Sequence, residues 1–346
     1  MLIVCEGEKT EPSYFNFLKP YSKLAWEDTR STSIDIKPKP NLEEEAVQPT
    51  KKTKRRKRQL KQSNKIQDTS KIESHYKAQP LRYVREAQQG LEDGVYAEVW
   101  AVFDKDVHPK HEEAFELAQQ EIEGKTVNIA FSSIAFEHWF LLHFEKNQTP
   151  FLKSACRIKQ NYFNCGTGEF PEDCYGAKCL AGYLKINQYL PNYIKSGATT
   201  NFKLLLQNQQ IAFENAAWLR FKMPLNQPIY ELNPYTTVDK LVKSLLNIDT
   251  QIIWLNFHAK KRLDNKIFEF YQNNGQINLS IQNKSVTTYI FNPTKFYFKS
   301  NNKLTIPVKR TIIEVNQTIP FTIQLPNSDI DTLHCIFDNY HLILEL

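Results

Sequence analysis

The sequence is short of glycine and lacks any long apolar run, and both features limit the class of protein. Only 10 of the 346 residues are glycine and 41% are apolar, which is typical of a globular chain. No apolar run approaches the ~18 residues that a membrane-spanning helix needs. The N-terminus also lacks the basic and apolar regions of a signal peptide. We therefore expect a cytoplasmic protein without a membrane segment.

Two further absences concern metal and nucleotide sites. Four of the six cysteines lie within 24 residues, but no two of them form a CxxC pair. The sequence therefore predicts reduced, buried thiols and no zinc site. The segment Gly7–Thr10 ends like a Walker A motif but lacks the upstream glycine of that motif. We do not expect the chain to hydrolyse ATP by itself.

The segment 97–106, AEVWAVFDKD, combines a buried strand with two carboxylates. Val99–Phe103 is an unbroken apolar run, which is typical of a parallel-sheet strand covered on both faces. Asp104 and Asp106 follow, and side chains two apart on an extended segment point the same way. They would lie at the sheet edge where α/β proteins place ligands. Neighbouring carboxylates repel each other, and oxygen ligands suit Mg2+ or Mn2+. The alternative is a solvated acidic turn.

Two other predicted strands are followed by an acidic residue. Leu2–Cys5 is a short apolar run before Glu6, and Val127–Phe131 precedes an apolar helix with Glu137 in its first turn. If the strands are parallel neighbours, Glu6 meets the two aspartates at one edge of the sheet. Glu137 either interacts with the helix dipole or joins the acidic cluster. His143 lies on another face of that helix and is predicted to be a core histidine.

Residues 40–75 are predicted to be a basic insertion. Nine basic residues and no acidic residue lie within 51–65. Because these nine charges exceed the whole-chain net charge of +6, the rest of the chain carries −3. The insertion is either a solvated loop or a contact to nucleic-acid phosphates, whose binding would depend on salt. The candidate contacts are Lys51, Lys52, Lys54, Arg55, Arg56, Lys57 and Arg58.

Three regions that differ in predicted secondary structure follow one another along the chain. Strands and helices alternate through residues 1–150, which predicts an α/β domain with a parallel sheet flanked by helices. Residues 151–248 are predicted to be a helical extension. Residues 249–346 are predicted to be an all-β accessory domain, an antiparallel sandwich or barrel of roughly six or seven strands. The predicted helices after the insertion are Tyr76–Leu91, His111–Glu123, Ala135–Phe144, Leu180–Ile194, Asn201–Arg220 and Val238–Leu246.

Three motifs, taken in order, resemble the RloB-like proteins. They are LIVCEGEKTEPSYF at Leu2–Phe15, VFDKD at Val102–Asp106, and the segment Ser132–Phe144 with its FEHWFLLHF sequence. The resemblance covers residues 1 to about 245 and includes NPYTTV at Asn233–Val238. RloB-like proteins are single-chain Toprim-domain proteins of prokaryotic defence islands. The resemblance therefore implies a Toprim-like sheet in the first domain.

The resemblance also implies a set of site residues. Toprim domains bind Mg2+ for phosphodiester chemistry through a glutamate after the first strand and a DxD after a later one. By position, Glu6 matches the glutamate, and Asp104 and Asp106 match the DxD. A further acidic residue often completes a two-metal site in such nucleases, and Glu137 or Glu11 is the candidate here. Glu6 is either a metal ligand or the general base.

These features together predict a metal-dependent nuclease that uses Mg2+ or Mn2+. The resemblance implies an effector of an antiphage or abortive-infection system, which would cleave RNA (tRNA included) or DNA, with an ABC- or AAA-type ATPase as partner. Two other classes stay open. One is a non-catalytic subunit that binds nucleic acid or a partner protein, which would bind without Mg2+ and without cleavage. The other is a ligase- or primase-like transfer enzyme.

Overall fold

The computed structural model divides the chain into two compact units, residues 1–248 and 249–346. The predicted boundary at residue 150 falls inside the first unit. The described residues are 1–25, 33–38, 79–105, 109–155, 157–158, 163–164, 179–193, 200–256, 258–273, 276–299, 303–325 and 331–346. The basic insertion predicted at 40–75 lies outside these ranges, as does Asp106. Within them, no helix combines the length and apolar character that a membrane span requires.

The first unit mixes helices with short strands. Its described helices are α1 (Thr10–Ala25), α2 (Gln79–Glu92), α3 (His111–Ala118), α4 (Glu137–Leu141), α5 (Leu180–Ile186), α6 (Phe202–Gln207), α7 (Gln209–Lys222) and α8 (Val238–Leu245), with a 3-10 turn at Ile229–Glu231. Its strands are β1 (Leu2–Cys5), β2 (Asp35–Lys37), β3 (Val99–Asp104), β4 (Asn128–Ser133), β5 (Arg157–Ile158), β6 (Phe163–Asn164) and β7 (Tyr235–Thr236).

Five of these strands form one sheet in the order β2-β1-β3-β4-β7. The first four strands are parallel, and β7 is antiparallel to β4. Every residue of β1 and all but the last of β3 are buried, so helices must cover both faces of the sheet. On one face, Val4 and Phe103 share an apolar cluster with Val84 of α2 and Leu117 of α3. The predicted parallel sheet flanked by helices is confirmed.

Several helices are shorter than predicted, and local features explain where two of them end. Helix α3 ends at Ala118, and the chain then turns through Glu123 and Gly124, whose φ angles of 51° and 75° no helix can contain. The predicted helix 201–220 is two helices, because Asn208 is both the C-cap of α6 and the N-cap of α7. The predicted helices Ala135–Phe144 and Leu180–Ile194 shorten to α4 and α5.

The NPYTTV segment attaches the helical region to the edge of the sheet. Tyr235 and Thr236 pair with Ser133 and Ser132 of β4. The Thr237 hydroxyl oxygen accepts a hydrogen bond from the Phe131 N–H at 2.9 Å and donates to the Ile129 carbonyl at 3.0 Å. The segment therefore fixes the start of α8 directly beside β4.

An ion pair ties α8 to α7. The Arg220 guanidinium donates to both carboxylate oxygens of Asp239, at 2.6 and 2.7 Å, and to the Thr236 carbonyl at 2.9 Å. Asp239 is only 1% exposed. This bidentate pair neutralises a buried carboxylate inside the helical region.

The second unit is an antiparallel β-sandwich with one parallel pair. One sheet has the order β16-β11-β10-β9 and the other β14-β13-β17-β18-β8, while β12 pairs with β15. Among the described strands of this unit, only the pairing of β18 with β8 is parallel. Its strands are β8 (Gln251–Leu255), β9 (Lys260–Leu263), β10 (Lys266–Asn273), β11 (Gln276–Asn283), β12 (Tyr289–Phe291), β13 (Pro293–Lys299), β14 (Lys303–Thr305), β15 (Thr311–Ile313), β16 (Thr318–Gln324), β17 (Thr332–Phe337) and β18 (Tyr340–Glu345).

Both large sheets contribute to one apolar core. The rings of Phe268 on β10 and Phe337 on β17 stack with their centroids 4.8 Å apart. In β11 the burial alternates residue by residue, so that Ile277, Leu279 and Ile281 point into the core. The predicted all-β class is confirmed. The predicted six or seven strands are too few, because the described part of this unit contains eleven.

Candidate metal centre

Glu6 lies directly after β1 and is attached to β3 through both its main chain and its side chain. Its backbone N–H donates to the Val102 carbonyl at 2.8 Å. Its Oε2 atom accepts a hydrogen bond from the Asp104 backbone N–H at 2.9 Å. The Tyr83 hydroxyl, on α2, donates to the Glu6 carbonyl at 3.3 Å. The parallel pairing of β1 and β3 therefore brings Glu6 and Asp104 to one edge of the sheet.

The loop that follows β3 leaves the sheet beside β4. The Lys105 N–H donates to the Ser132 carbonyl at 2.8 Å, and the Lys105 ammonium donates to the Glu231 carbonyl at 2.6 Å. The Lys105 side chain is therefore bound on the β4 side of the loop. His111 Nε2 lies 3.0 Å from the Asp104 carbonyl oxygen. Because that oxygen can only accept, we assign the ring proton to Nε2, and His111 steadies the backbone of Asp104.

Glu11 is folded back over the turn that contains Glu6. It stands in the first turn of α1, where the helix dipole favours a carboxylate, and is only 7% exposed. A Cβ atom built on Gly7 would lie 2.0 Å from Glu11 Oε2. Only a glycine at position 7 thus leaves room for the Glu11 carboxyl group in this position.

Glu137 begins α4, directly after the connection from β4, and is 1% exposed. The Tyr193 hydroxyl donates to Glu137 Oε1 at 2.5 Å. Glu137 Oε2 is buried and has no hydrogen-bond partner in the described part of the chain. A buried carboxyl oxygen without a partner is costly, by about 1–3 kcal/mol, unless a group outside the described residues or a bound cation satisfies it.

Two tyrosines report that three of these carboxylates lie close together. Burial, followed by the nearby charge of Glu6 and the smaller effect of Glu11, raises the pKa of Tyr83 to about 12. Burial and the charge of Glu137 raise the pKa of Tyr193 well above its usual range, and Glu11 adds to this. Glu11 therefore lies within electrostatic range of both tyrosines.

The two histidines near Glu137 are core residues in this structure. Both are fully buried, and burial lowers the pKa of His138 and of His143 to about 4, so both are neutral at pH 7. His143 Nδ1 lies 2.9 Å from the Trp139 carbonyl and therefore carries the ring proton. Neither ring nitrogen of His138 has a hydrogen-bond partner among the described residues.

The structure places four of the five predicted acidic site residues at one sheet edge, and the other predicted site residues lie outside the described ranges. Glu6, Asp104, Glu11 and Glu137 lie at the carboxyl ends of β1, β3 and β4 or in the helix turns that follow. Asp106 and the basic residues 51–58 lie outside the described residues.

Three residues at this edge were not predicted from the sequence. Tyr83, His111 and Tyr193 all bind the acidic residues or their backbone, yet none stands in an acidic motif. Tyr193 lies 56 positions from Glu137 in the chain, so no local pattern indicates the contact. The only available signal was that Tyr83 belongs to the apolar face of α2.

The donor set at this edge fits a hard divalent cation. All four described acidic side chains offer oxygen, as Mg2+ and Mn2+ prefer, and Glu137 Oε2 is a buried oxygen with no hydrogen-bond partner in the described part of the chain. Of the cysteines, the described ones, Cys5, Cys179 and Cys335, are buried free thiols. Cys5 is next to Glu6, and burial raises the pKa of its thiol well above the usual range.

A buried histidine pair forms a separate group in the second unit. His334 Nδ1 on β17 lies 2.8 Å from His341 Nε2 on β18, and the Thr332 hydroxyl lies 3.0 Å from His334 Nε2. The Tyr297 ring stacks on His334 with a centroid distance of 4.7 Å. Because imidazole is a common metal ligand, buried histidines of this kind could contribute to holding a metal ion.

The class defined by the first unit is an α/β protein with an acidic cluster at the carboxyl end of a parallel sheet. Comparison with family models makes it more specific, because the model described as RloB-like protein matches residues 1–245. The chain therefore belongs to the RloB-like family, as the three motifs indicated. No curated protein matches the chain.

A solved structure to which the chain is similar is the Pseudomonas fluorescens alkylpurine DNA glycosylase AlkC bound to DNA containing an abasic site analog. The sequence identity is 6%, and the TM-score is 0.15. The similarity covers 60% of this chain and 62% of that one. With a TM-score this low, the likeness carries no argument about fold or function.

Proposed function

We propose that the protein is a Mg2+- or Mn2+-dependent nuclease whose active site is the acidic cluster at the carboxyl end of the first unit's sheet. The observation that carries the proposal is the convergence of Glu6, Asp104, Glu11 and Glu137 from separate elements on one edge. Glu137 Oε2 is buried there without a partner in the described part of the chain. Carboxylates gathered in this way bind the cations that phosphodiester cleavage uses.

Glu6 and Asp104, with Asp106, would hold one cation, and Glu11 and Glu137 a second. A bound divalent cation supplies Lewis acidity and lowers the pKa of water. The protein's own contribution is orientation. The Asp104 N–H fixes Glu6 Oε2, His111 steadies the Asp104 backbone, and the Tyr193 hydroxyl holds one oxygen of Glu137. Glu6 also suits the role of general base, since its carboxyl group is partly exposed.

The resemblance to the RloB-like proteins supplies the wider context of the proposal. We place the protein in the cytoplasm as a Toprim-type effector of an antiphage or abortive-infection system, with RNA (tRNA included) or DNA as its substrate. An ABC- or AAA-type ATPase would hold or release it. The basic residues 51–58 would bind the phosphate backbone of the substrate, and that binding would weaken with salt.

The test is a cleavage assay on tRNA, messenger RNA and plasmid DNA, with Mg2+ or Mn2+ against EDTA. The Glu6→Gln and Asp104→Asn variants remove one carboxylate each, and Glu113→Gln is the matched control. Glu113 is an exposed acid in the first turn of α3, so its loss changes the net charge equally. We expect metal-dependent products with the wild type and the control, and a loss of at least ~10²-fold in the two site variants.

Two outcomes would count against the proposal. Cleavage that persists in Glu6→Gln and Asp104→Asn would show that the products come from another site or a contaminant. No cleavage of any substrate, with or without the proposed ATPase partner, would favour the non-catalytic subunit instead. That alternative predicts nucleic-acid binding that is unchanged by EDTA.

A further inference from the structure

A cavity of about 260 Å3 opens beside Glu6, at the carboxyl ends of β1 and β2. Val4, Pro38 and the ring of Tyr83 give it an apolar surface. Glu6 itself forms part of its wall, so any molecule in the cavity lies against the acidic cluster. Tyr83 links the two features further, because its hydroxyl donates to the Glu6 carbonyl.

Two cations line the same cavity. Arg82, on α2, is exposed, and none of the described residues forms an ion pair with it. Lys37 ends β2, and its ammonium lies 3.7 Å from Glu86 Oε1. Both members of that pair are partly exposed, so the contact contributes little to stability. The Lys37 ammonium can therefore bind another anion. Arg82, which has no ion-pair partner among the described residues, and Lys37 beside it suit a phosphate group. Arginine binds phosphate through two parallel hydrogen bonds.

The carboxylates of the cavity limit what can bind. Glu6, Glu8 and Glu86 also line it, so a free anion would meet repulsion as well as attraction. A phosphate in a nucleic-acid strand that is already held by a cation on Glu6 would meet less repulsion. The cation offsets the charge of the nearest carboxylate. The apolar surface then suits the sugar or base that the phosphate carries. The cavity thus fits one nucleotide of a longer strand.

We infer that this cavity, through Arg82, Lys37 and the Tyr83 surface, binds the nucleotide next to the scissile phosphate of a nucleic-acid strand. The inference rests on the proposed function, and it adds a direction to it. The strand crosses the acidic cluster towards β2, on the side of the sheet opposite to β4. Arg82 and Lys37 are binding residues here and take no part in the chemistry.

The test measures the binding of a fluorescent 12-nucleotide single strand, as RNA and as DNA of the same sequence, to the full-length protein. Ca2+ replaces Mg2+ so that binding is read without turnover. Arg82→Gln and Lys37→Gln are compared with Arg85→Gln. Arg85 is on the same helix, but it is paired with Glu92 and lies outside the cavity. The Arg85→Gln control therefore removes the same charge without changing the cavity.

We expect Arg82→Gln to weaken binding at least tenfold and to lower the slope of log Kd against log salt by about 0.7, the value for one lost phosphate contact on a single strand. We expect a smaller loss with Lys37→Gln and less than a twofold change with Arg85→Gln. Equal affinities for Arg82→Gln and Arg85→Gln would overturn the inference. No binding of either strand by the wild type would overturn it too.

The two proposals fail in different ways. If the wild type cleaves nucleic acid and Arg82→Gln leaves both Kd and KM unchanged, the nuclease stands and the subsite is wrong. If no condition gives cleavage but binding depends on Arg82 and not on Arg85, the subsite stands on a protein that only binds. A stronger loss with RNA than with DNA would identify the class of strand that the cavity accepts.

Discussion

Replacing Gly7 by alanine separates the role of Glu11 from that of the rest of the acidic cluster. The substitution adds one methyl group and removes no charge. A Cβ atom at this position would lie 2.0 Å from Glu11 Oε2 and 2.8 Å from Glu11 Cδ. The methyl group can be accommodated only if the Glu11 carboxyl group moves, since it is the end of a flexible side chain.

The size of the displacement follows from the contact distances. Ordinary van der Waals contact begins at 3.4 Å, so the carboxyl group must shift by at least about 1.4 Å. A misplacement of ~1 Å at a catalytic group can cost ~10²-fold in rate. Gly7 does not have a φ in the left-handed region, so alanine fits its backbone. We expect the stability of the metal-free protein to stay within about 1 kcal/mol.

The assay combines cleavage rates with thermal unfolding in increasing Mg2+. Wild-type protein should gain stability as Mg2+ is added, by about 2.7 kcal/mol at a hundred times the Kd. Gly7→Ala should need ~10–100-fold more Mg2+ for the same gain and should cleave ~10²-fold more slowly. Glu11→Gln should show losses of similar size without the added volume.

The double variant Gly7→Ala with Glu11→Gln decides whether the methyl group acts through Glu11. If it does, the double variant should be no worse than Glu11→Gln, because the target of the methyl group is already gone. Losses that add would mean that the methyl group disturbs Glu6 instead. Wild-type rates and Mg2+ dependence in Gly7→Ala would refute the assignment of Glu11 to the metal site.

Two further substitutions test the groups that hold buried carboxyls. Tyr193→Phe leaves Glu137 Oε1 without its hydrogen bond, so we expect a loss of about 1–3 kcal/mol in stability and a weaker effect of Mg2+ on thermal unfolding. Tyr189→Phe, at a more exposed carboxylate, is the control, and equal losses would contradict the reasoning. Asp239→Ala leaves Arg220 without its buried partner, so urea unfolding should show a loss of about 3–5 kcal/mol. A loss below about 1 kcal/mol would contradict that expectation.

The sequence predicted those parts of the fold where burial on both faces leaves an unbroken apolar run. Strands β1 and β3 are such runs, β4 contains a shorter apolar run at 129–131, and each is found within two residues of its expected place. Strand β7 contains only Tyr235 and Thr236, which is too short for any periodicity to reveal. It exists because Thr237 bonds to β4, more than 100 positions earlier in the chain.

In the second unit the number of strands was underestimated because several turns lack a strong sequence signal. The last two strands, β17 and β18, form a hairpin that turns at Asp338 with a φ of 47°. An Asp-Asn pair between two apolar runs is a known hairpin signal, although weaker than Asp-Gly. Strand β9 begins with two lysines and an arginine, so its alternation is hard to see.

The acidic residues of the site were identifiable from sequence, but the groups that position them were not. Glu6 and Asp104 follow apolar strands directly, so the topology of a parallel sheet is enough to bring them together. Tyr193 and His111 reach the site by packing of separate helices or loops, which sequence patterns do not encode. The position of Glu11 depends on a side-chain conformation that only the absence of a Cβ at Gly7 permits.

The contrast between two buried acids in the same unit favours a cation over a purely structural role for the cluster. Asp239 and Glu137 are each 1% exposed. Asp239 is neutralised by a bidentate arginine, while the described residues offer Glu137 one tyrosine hydroxyl and leave its other oxygen without a hydrogen bond. A buried carboxyl oxygen without a hydrogen bond costs about 1–3 kcal/mol, so a purely structural role gives no reason for a carboxyl at this position. A divalent cation would coordinate that oxygen, so Glu137→Gln should remove much of the stabilisation by Mg2+.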